Sequence, residues 1–313
     1  MDTDQEVNIA VLIPCYNEEA TIGKVIDDFR SQLPKAAIFV FDNCSSDSTA
    51  SIAKEHGASV IREPRQGKGF VVELMFHCLD AEIYVMVDGD DTYPAQEVHK
   101  LIEPVVRGEA DMAVGARLCS YTKKSFRSLH VYGNKLVRSL VNWVGDANLT
   151  DIMSGYRVFN RRVVQNIPVV SAGFEVETEI TIQMLYYRMK IIEIQVPYKA
   201  RPVGSESKLR TFRDGLRVLW KIFSLFRSFK PLTFFGSIGL LFLAVGSFTG
   251  VRSLYDCMRA PDVHTGQIAT VILGVGLIIM SIGCLLLGIL LHSVNWRFRE
   301  LHNVLTRKQK IFR

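Results

Sequence analysis

Residues that make obvious metal or redox centres are scarce in this chain. Its six cysteines, at positions 15, 44, 78, 119, 257 and 284, stand far apart, without the close pairing of zinc ribbons or thiol–disulfide motifs. A reduced, cytosolic setting is the simpler expectation. The seven histidines are scattered, and none is spaced to share a metal or to join a catalytic triad. Gly67-Lys68-Gly69 lacks the remainder of a P-loop, so it is not read as an ATPase signal. No internal repeat or low-complexity tract is present, and the apolar run at residues 9–13 is too short for a signal peptide. A net charge of +5 is too slight to mark a nucleic-acid binder.

Charge is missing altogether from two long stretches. Residues 232–251 and 268–291 contain no Asp, Glu, Lys or Arg, and each is long enough to cross a bilayer core. Basic residues crowd the flanks: Arg210, Arg213, Arg217, Lys221, Arg227 and Lys230 before the first stretch, and Arg297, Arg299, Arg307, Lys308, Lys310 and Arg313 after the second. The segment 252–267, expected as a short polar hairpin, has Arg252 and Arg259 offset by Asp256 and Asp262. The positive-inside rule then places both termini in the cytosol of a cell-membrane protein. Upstream, Phe212, Leu216, Leu219, Phe223 and Phe226 fall on one face of a helix. Arg210, Arg213, Arg217 and Lys221 fall on another, the pattern of a helix lying in a membrane interface.

The first half alternates between strand and helix patterns. Strands are expected at 8–13, 37–41, 60–61 and 83–87, and helices at 18–33, from the Ser45–Thr49 cluster to about residue 56, and from Gly67 to about residue 78. This order implies a mostly parallel sheet covered on both faces. Ligands in such sheets sit beyond the carboxyl ends of the strands. Three motifs fall there: Pro14 to Glu18, Asp42 to Ser45, and Asp88-Gly89-Asp90-Asp91. Clustered carboxylates repel unless a cation or a donor network holds them. Hard oxygen ligands suit Mg²⁺ or Mn²⁺ bridging to a diphosphate.

Taken in order, Val11-Leu12-Ile13-Pro14-Cys15-Tyr16-Asn17-Glu18-Glu19, Asp42-Asn43-Cys44-Ser45-Ser46-Asp47-Ser48-Thr49, Gly67-Lys68-Gly69, the acidic triplet, Gly115-Ala116-Arg117, Asp151-Ile152-Met153-Ser154-Gly155-Tyr156-Arg157 and Arg201-Pro202-Val203-Gly204-Ser205-Glu206-Ser207-Lys208 resemble the family 2 glycosyltransferases of GT-A fold. The resemblance is to their polyprenyl-phosphate, dolichyl-phosphate mannose synthase-like branch, and covers roughly residues 7–210. Where many relatives read Asp-Asp-Gly-Ser, this chain reads Asp42-Asn43-Cys44-Ser45, which leaves the base, uridine or guanosine, open.

The resemblance implies an α/β, Rossmann-like GT-A catalytic domain at 1–208, an amphipathic interfacial helix at 209–230 and a two-helix transmembrane anchor at 231–313. It implies inverting transfer of one hexose from a nucleotide diphosphate sugar, UDP-linked by first preference and GDP-mannose as the alternative, to polyprenyl phosphate. A polysaccharide synthase or a non-catalytic scaffold are the weaker alternatives. Pro14, Tyr16, Asn17, Glu18, Asp42, Lys68, Asp88 and Glu177 would contact the nucleotide sugar. Asp90 and Asp91 would hold Mg²⁺ or Mn²⁺. Asp151, Asp90 and Arg117 would be catalytic, with Asp151 orienting more than acting as a base, because a phosphate monoester is already largely dianionic near neutral pH. Arg157, Arg201, Ser205, Ser207 and Lys208 would hold the lipid phosphate. Asp47 is expected to cap a helix. A homo-oligomer, such as a tetramer, is expected among the partners, and nucleic acid is not.

Overall fold

The computed structural model describes residues 8–117, 128–145, 147–202, 211–259 and 265–311. The chain divides into two compact units, Met1–Ile222 and Phe223–Arg313.

The first unit is built on a seven-stranded sheet in the order β3-β2-β1-β4-β6-β5-β7. Its strands are β1 (Ile9–Cys15), β2 (Ala37–Asp42), β3 (Ser59–Arg62), β4 (Ile83–Met86), β5 (Met112–Arg117), β6 (Arg157–Asn160) and β7 (Ile191–Val196). All run parallel except β6, which is antiparallel to both β4 and β5. The helices between them are α1 (Ile22–Gln32), α2 (Thr49–Glu55), α3 (Lys68–Cys78), α4 (Val98–Val106), α5 (Ser128–Gly145), α6 (Arg161–Asn166) and α7 (Val176–Tyr186). The expected strands and helices of the first half are all present, within a few residues at each end.

Both faces of the sheet are buried. Side chains alternate along a strand, so Val11, Ile13 and Cys15 enter one core while Ala10 and Leu12 enter the other. Near-continuous apolar strands are what two covered faces require. On α1, Ile22, Val25, Ile26 and Phe29 form the buried stripe. Phe29 meets Tyr156 edge-on at 6.0 Å. Truncating it to Ala would cost about 3–5 kcal/mol.

The topology brings the carboxyl ends of β1, β2, β4 and β5 to one edge. The antiparallel β6 starts at that same edge, because Arg157 pairs with Met86 on one side and Val114 on the other. The segment 151–156, which leads into β6, therefore sits beside the end of β4 and its acidic turn.

Helix α8 (Thr211–Phe229) has the one broad apolar face expected, and only part of it is buried. Val218, Ile222 and Leu225 are buried, whereas Leu216 and Phe223, placed by their spacing on the apolar face, are exposed together with Trp220. Lys221 is not a free headgroup cation: its ammonium lies 2.8 Å from Glu179 on α7. In the second unit, α9 (Pro231–Arg259) and α10 (Thr265–Ile311) contain two stretches long and apolar enough to cross a membrane. Their mean hydropathies are 1.9 and 2.6, and most of their surface is exposed. The expected polar hairpin from Arg252 is largely helix, since α9 continues to Arg259.

Candidate active site

Asp88 and Asp90 follow β4 at the carboxyl edge, and each lies against a cation. Lys68, in the first turn of α3, places its ammonium 2.7 Å from Asp88 Oδ1 and 2.6 Å from Glu177 Oε1. Burial alone would depress the Lys68 pKa, but the two carboxylates outweigh it and hold the ammonium charged. Arg201 reaches Asp90 Oδ2 at 2.6 Å and Glu18 at 3.8 Å. The other Asp90 oxygen accepts from the Thr92 amide and hydroxyl at 3.2 and 2.6 Å. Burial first, and then the charge of Asp88, push the Asp90 carboxyl above its usual range despite these donors. Cys15, at the end of β1, records the same field. Its thiol pKa is raised by burial and by Glu18, Asp42, Asp88 and Asp90 around it.

Backbone geometry makes room for this charge. A side chain at Gly155 would place its Cβ 2.1 Å from Asp88 Oδ2, so the carboxylate occupies the space that glycine leaves. Gly155 N–H donates to the Tyr93 hydroxyl at 3.2 Å, and Tyr93 meets Ser154 Oγ at 3.2 Å. Gly67 and Gly69 play a similar part: Cβ atoms there would sit 2.2 Å from Ala172 O and 1.8 Å from Ser171 O.

The loops after β1 and β2 are laced together. Asn17 has a left-handed φ of 54°, a conformation asparagine tolerates. Its amide donates to Ser45 Oγ at 3.0 Å, and its Oδ1 accepts from Ser46 N–H at 2.8 Å. Glu18 N–H donates to Thr49 Oγ1 at 2.8 Å. Asp42 is buried and accepts from Ser45 N–H at 3.2 Å, while Pro14 and Tyr16 are half-buried on the same rim. Asp47 accepts from Thr49 N–H at 3.0 Å, at the first residue of α2.

Asn43, the departure from the usual second acid, has a structural task. Its Nδ2 donates to Arg65 O at 2.8 Å and Glu63 O at 3.3 Å, and its Oδ1 accepts from Gly67 N–H at 2.7 Å. A carboxylate could not donate to those carbonyls.

A second polar cluster lies beyond β5. Arg117 makes a bidentate pair with Asp151, at 2.7 and 2.8 Å, and its backbone N–H adds a third bond at 3.0 Å. Burial would raise the Asp151 carboxyl, but Arg117 prevails and holds it below the usual range. Such a carboxylate is a weak base and a good orienter. Glu193 on β7 accepts from the backbone N–H groups of Thr150 and Asp151, each at 2.8 Å or less. The Arg117 guanidinium also stacks over Tyr198 at 5.4 Å.

Three expectations need correction, and three further residues fall outside view. Arg157 is fully buried and cannot meet a lipid phosphate. Its guanidinium is spent on Ser154 O at 2.8 Å, Thr181 Oγ1 at 3.0 Å and Ile152 O at 2.5 Å. Asp91 does not join Asp90: with a φ of 54° its carboxylate turns to Lys24 on α1, at 2.8 Å. Glu177 is committed to Lys68 rather than open to a sugar hydroxyl. Ser205, Ser207 and Lys208 lie outside the described residues.

For a divalent cation, Asp90 and Asp88 offer hard oxygen donors of the right kind, and the cations now on them mark where positive charge is welcome. Among the described residues no three acidic, imidazole or thiol groups converge on one point. Two carboxylates are what an ion of the Mg²⁺ type takes from a protein, with the rest of its shell from phosphate and water. Sequence reasoning missed Glu193, Tyr93, Tyr198 and Lys24. Glu193, a single carboxylate within the apolar run Ile191-Ile192-Glu193-Ile194, was the one with a readable signal.

Comparison with known proteins identifies the family. The glycosyl transferase family 2 profile matches residues 10–167. Glycosyltransferase AglJ of Haloferax volcanii is 29% identical over 90% of this chain and 92% of its own length. The dolichyl-phosphate hexose transferase of the same organism is 31% identical over 67% of this chain and 90% of its own. Glucosyl-3-phosphoglycerate synthase from Mycobacterium tuberculosis, solved with Mn²⁺, UDP-glucose and phosphoglyceric acid, shares the fold. It has a TM-score of 0.60 at 21% identity, covering 71% of this chain and 80% of that one. By the profile, the relatives and the sheet-edge centre together, the chain belongs to glycosyl transferase family 2 and is a glycosyltransferase with a GT-A-like catalytic fold.

Proposed function

We propose that this enzyme transfers one hexose, with inversion, from a nucleotide diphosphate sugar to a polyprenyl phosphate at the cytosolic face of a membrane. The observation that carries the reading is the alternation of charge at the sheet edge: Lys68 on Asp88 at 2.7 Å and Arg201 on Asp90 at 2.6 Å. Acids that fix a cation, next to cations that can turn to phosphate, are what departure of a diphosphate needs. The two long apolar helices and the relative named dolichyl-phosphate hexose transferase support a lipid acceptor. The basic flanks of those helices support the cytosolic side.

Asp90 is the principal ligand for Mg²⁺ or Mn²⁺, which when bound would neutralise the leaving nucleoside diphosphate. Arg201 must leave Asp90 as the donor enters, and its guanidinium then suits a phosphate, donor or acceptor, bidentately. Asp42, Glu18 and the Pro14–Tyr16 rim form the wall for base and ribose. Asp151 holds Arg117 in place, and the acceptor phosphate, with a second pKa of about 6, needs no strong base. A UDP-linked hexose is the preferred donor. The Mn²⁺ and UDP-glucose named for the mycobacterial structure support it, and GDP-mannose is the alternative.

The test is a donor screen. Detergent-solubilised protein receives undecaprenyl phosphate, Mn²⁺ or Mg²⁺, and UDP-glucose, UDP-N-acetylglucosamine, UDP-galactose or GDP-mannose in turn, with mass spectrometry of the lipid fraction. A single added sugar mass, lost with EDTA and with Asp90→Ala, is the expected result. No lipid product from any donor, with nucleotide bound, refutes the acceptor.

A further inference from the structure

Helix α7 carries two buried carboxylates close together in sequence, and they face different partners. Glu177, 3% exposed, holds Lys68, which holds Asp88. Glu179, 1% exposed, has no place in the chemistry above, yet it is held by four groups. Its Oε2 accepts from Ser171 N–H at 2.7 Å and Val170 N–H at 3.2 Å, and its Oε1 accepts from Gln183 Nε2 at 3.2 Å. The remaining partner is the Lys221 ammonium of α8, at 2.8 Å.

The strand of backbone that Glu179 holds is the one that packs on the Lys68 loop. Gly69 N–H donates to Ala172 O at 3.1 Å, and neither Gly67 nor Gly69 leaves room for a Cβ against this segment. A displacement of residues 170–172 is therefore passed to the turn that aims Lys68 at Asp88. Packed backbone without slack transmits strain. A buried carboxylate that loses its cation must move, take up a proton or draw in water.

We infer that Lys221 and Glu179 are positioning residues for the donor site, a link from α8 through residues 170–172 to Lys68 and Asp88; the inference rests on the glycosyl-donor reading above. The helix that presents Leu216 and Trp220 outward, 61% and 70% exposed, thereby also sets the far end of the nucleotide pocket.

The experiment is a titration of the full-length protein in detergent with UDP and, in parallel, GDP, each with Mn²⁺. It compares wild type with Lys221→Met, Lys221→Arg and Glu179→Gln. Lys221→Met and Glu179→Gln raise the nucleotide Kd fivefold or more, at the low end of the range of about 5–150-fold typical of coupled sites. Lys221→Arg restores it to within about twofold, on the same scale. The acceptor KM stays unchanged. A purely structural pair would lower the melting temperature of both variants and leave the nucleotide Kd alone, which overturns the inference. Should Lys221→Met fail to fold, Glu179→Gln decides, since it keeps the size and much of the bonding of the native side chain. Nucleotide binding without any lipid product refutes the proposed acceptor and leaves this comparison standing.

Discussion

Gly155→Ala should disable the enzyme while leaving it folded. Gly155 is absent from the positive-φ positions, so its backbone accepts an L side chain without strain. The whole cost falls on Asp88, whose Oδ2, Cγ and Oδ1 would lie 2.1, 2.6 and 2.8 Å from the new methyl carbon. Ordinary contact begins near 3.4 Å, so the carboxylate must retreat by about 1 Å or more. Retreat is resisted by Lys68 at 2.7 Å, itself fixed by Glu177 at 2.6 Å. Overpacking of this kind costs about 1–3 kcal/mol, and a misplacement of about 1 Å in a reacting constellation costs about a hundredfold in rate. Gly108→Ala is the matching control. It has a φ of 71° and nothing within 4 Å, so it is strained without a clash. It should lose about 1 kcal/mol, or about 2–4 °C in Tm, with kcat/KM unchanged. Donor turnover and thermal melting of both variants decide the matter. Wild-type kcat/KM in Gly155→Ala would refute the placement of Asp88 in the donor site.

Other outcomes follow from the same contacts. Asp90→Ala should abolish Mn²⁺-dependent nucleotide binding, measured by Mn²⁺ electron paramagnetic resonance with UDP, whereas Asp91→Ala should keep it within about threefold, about 0.7 kcal/mol by the tenfold-per-1.4 rule, because Asp91 is turned to Lys24; equal losses would restore Asp91 to the metal. Arg157→Met leaves Ser154 O, Ile152 O and Thr181 Oγ1 without their buried donor, so it should cost about 3–5 kcal/mol, seen as a fall in Tm, with no selective rise in acceptor KM. The depressed Asp151 carboxyl contributes stability that is fully present above its ordinary value of 3.8 and is lost as pH falls through its lower folded value. Acid melts should therefore show a loss below about pH 4 that is missing from Asp151→Asn, and identical profiles for the two proteins would mean that the Arg117 pair is not formed in solution.

The β-α order as far as β4 was legible because it is written in spacing, whereas β5, β7 and helices α4 to α7 were not placed from it. Buried strands are short apolar runs, although β1 continues through Pro14 to Cys15, and α1 shows its stripe at Ile22, Val25, Ile26 and Phe29. The two apolar helices were legible from the absence of charge alone. The antiparallel β6 was not, since Arg157-Val158-Phe159-Asn160 is short and begins with a charged residue that looks exposed. The error over Arg157 follows from the same cause. A cation in a motif of a phosphate-handling family reads as a phosphate ligand, and nothing local reveals that three oxygens from residues 152, 154 and 181 close around it.

The charged residues divide along that line. Where the chain places a carboxylate at the end of a parallel strand, its role follows from topology: Asp42, Asp88 and Asp90 reach the crevice because every such strand ends there. Where a charge lies on a helix, its partner is chosen by tertiary packing. Helical spacing set Lys221 among the outward cations of α8, yet its neighbours Val218, Ile222 and Leu225 are buried and carry it inward to Glu179. Glu177, expected at the nucleotide sugar, likewise binds Lys68, and Glu179 on the same helix binds α8. The broad apolar face of α8 could be buried along either of its edges. The acid waiting on α7, whose charge would otherwise be buried against two backbone amides and the Gln183 side chain, favours the edge that carries Lys221.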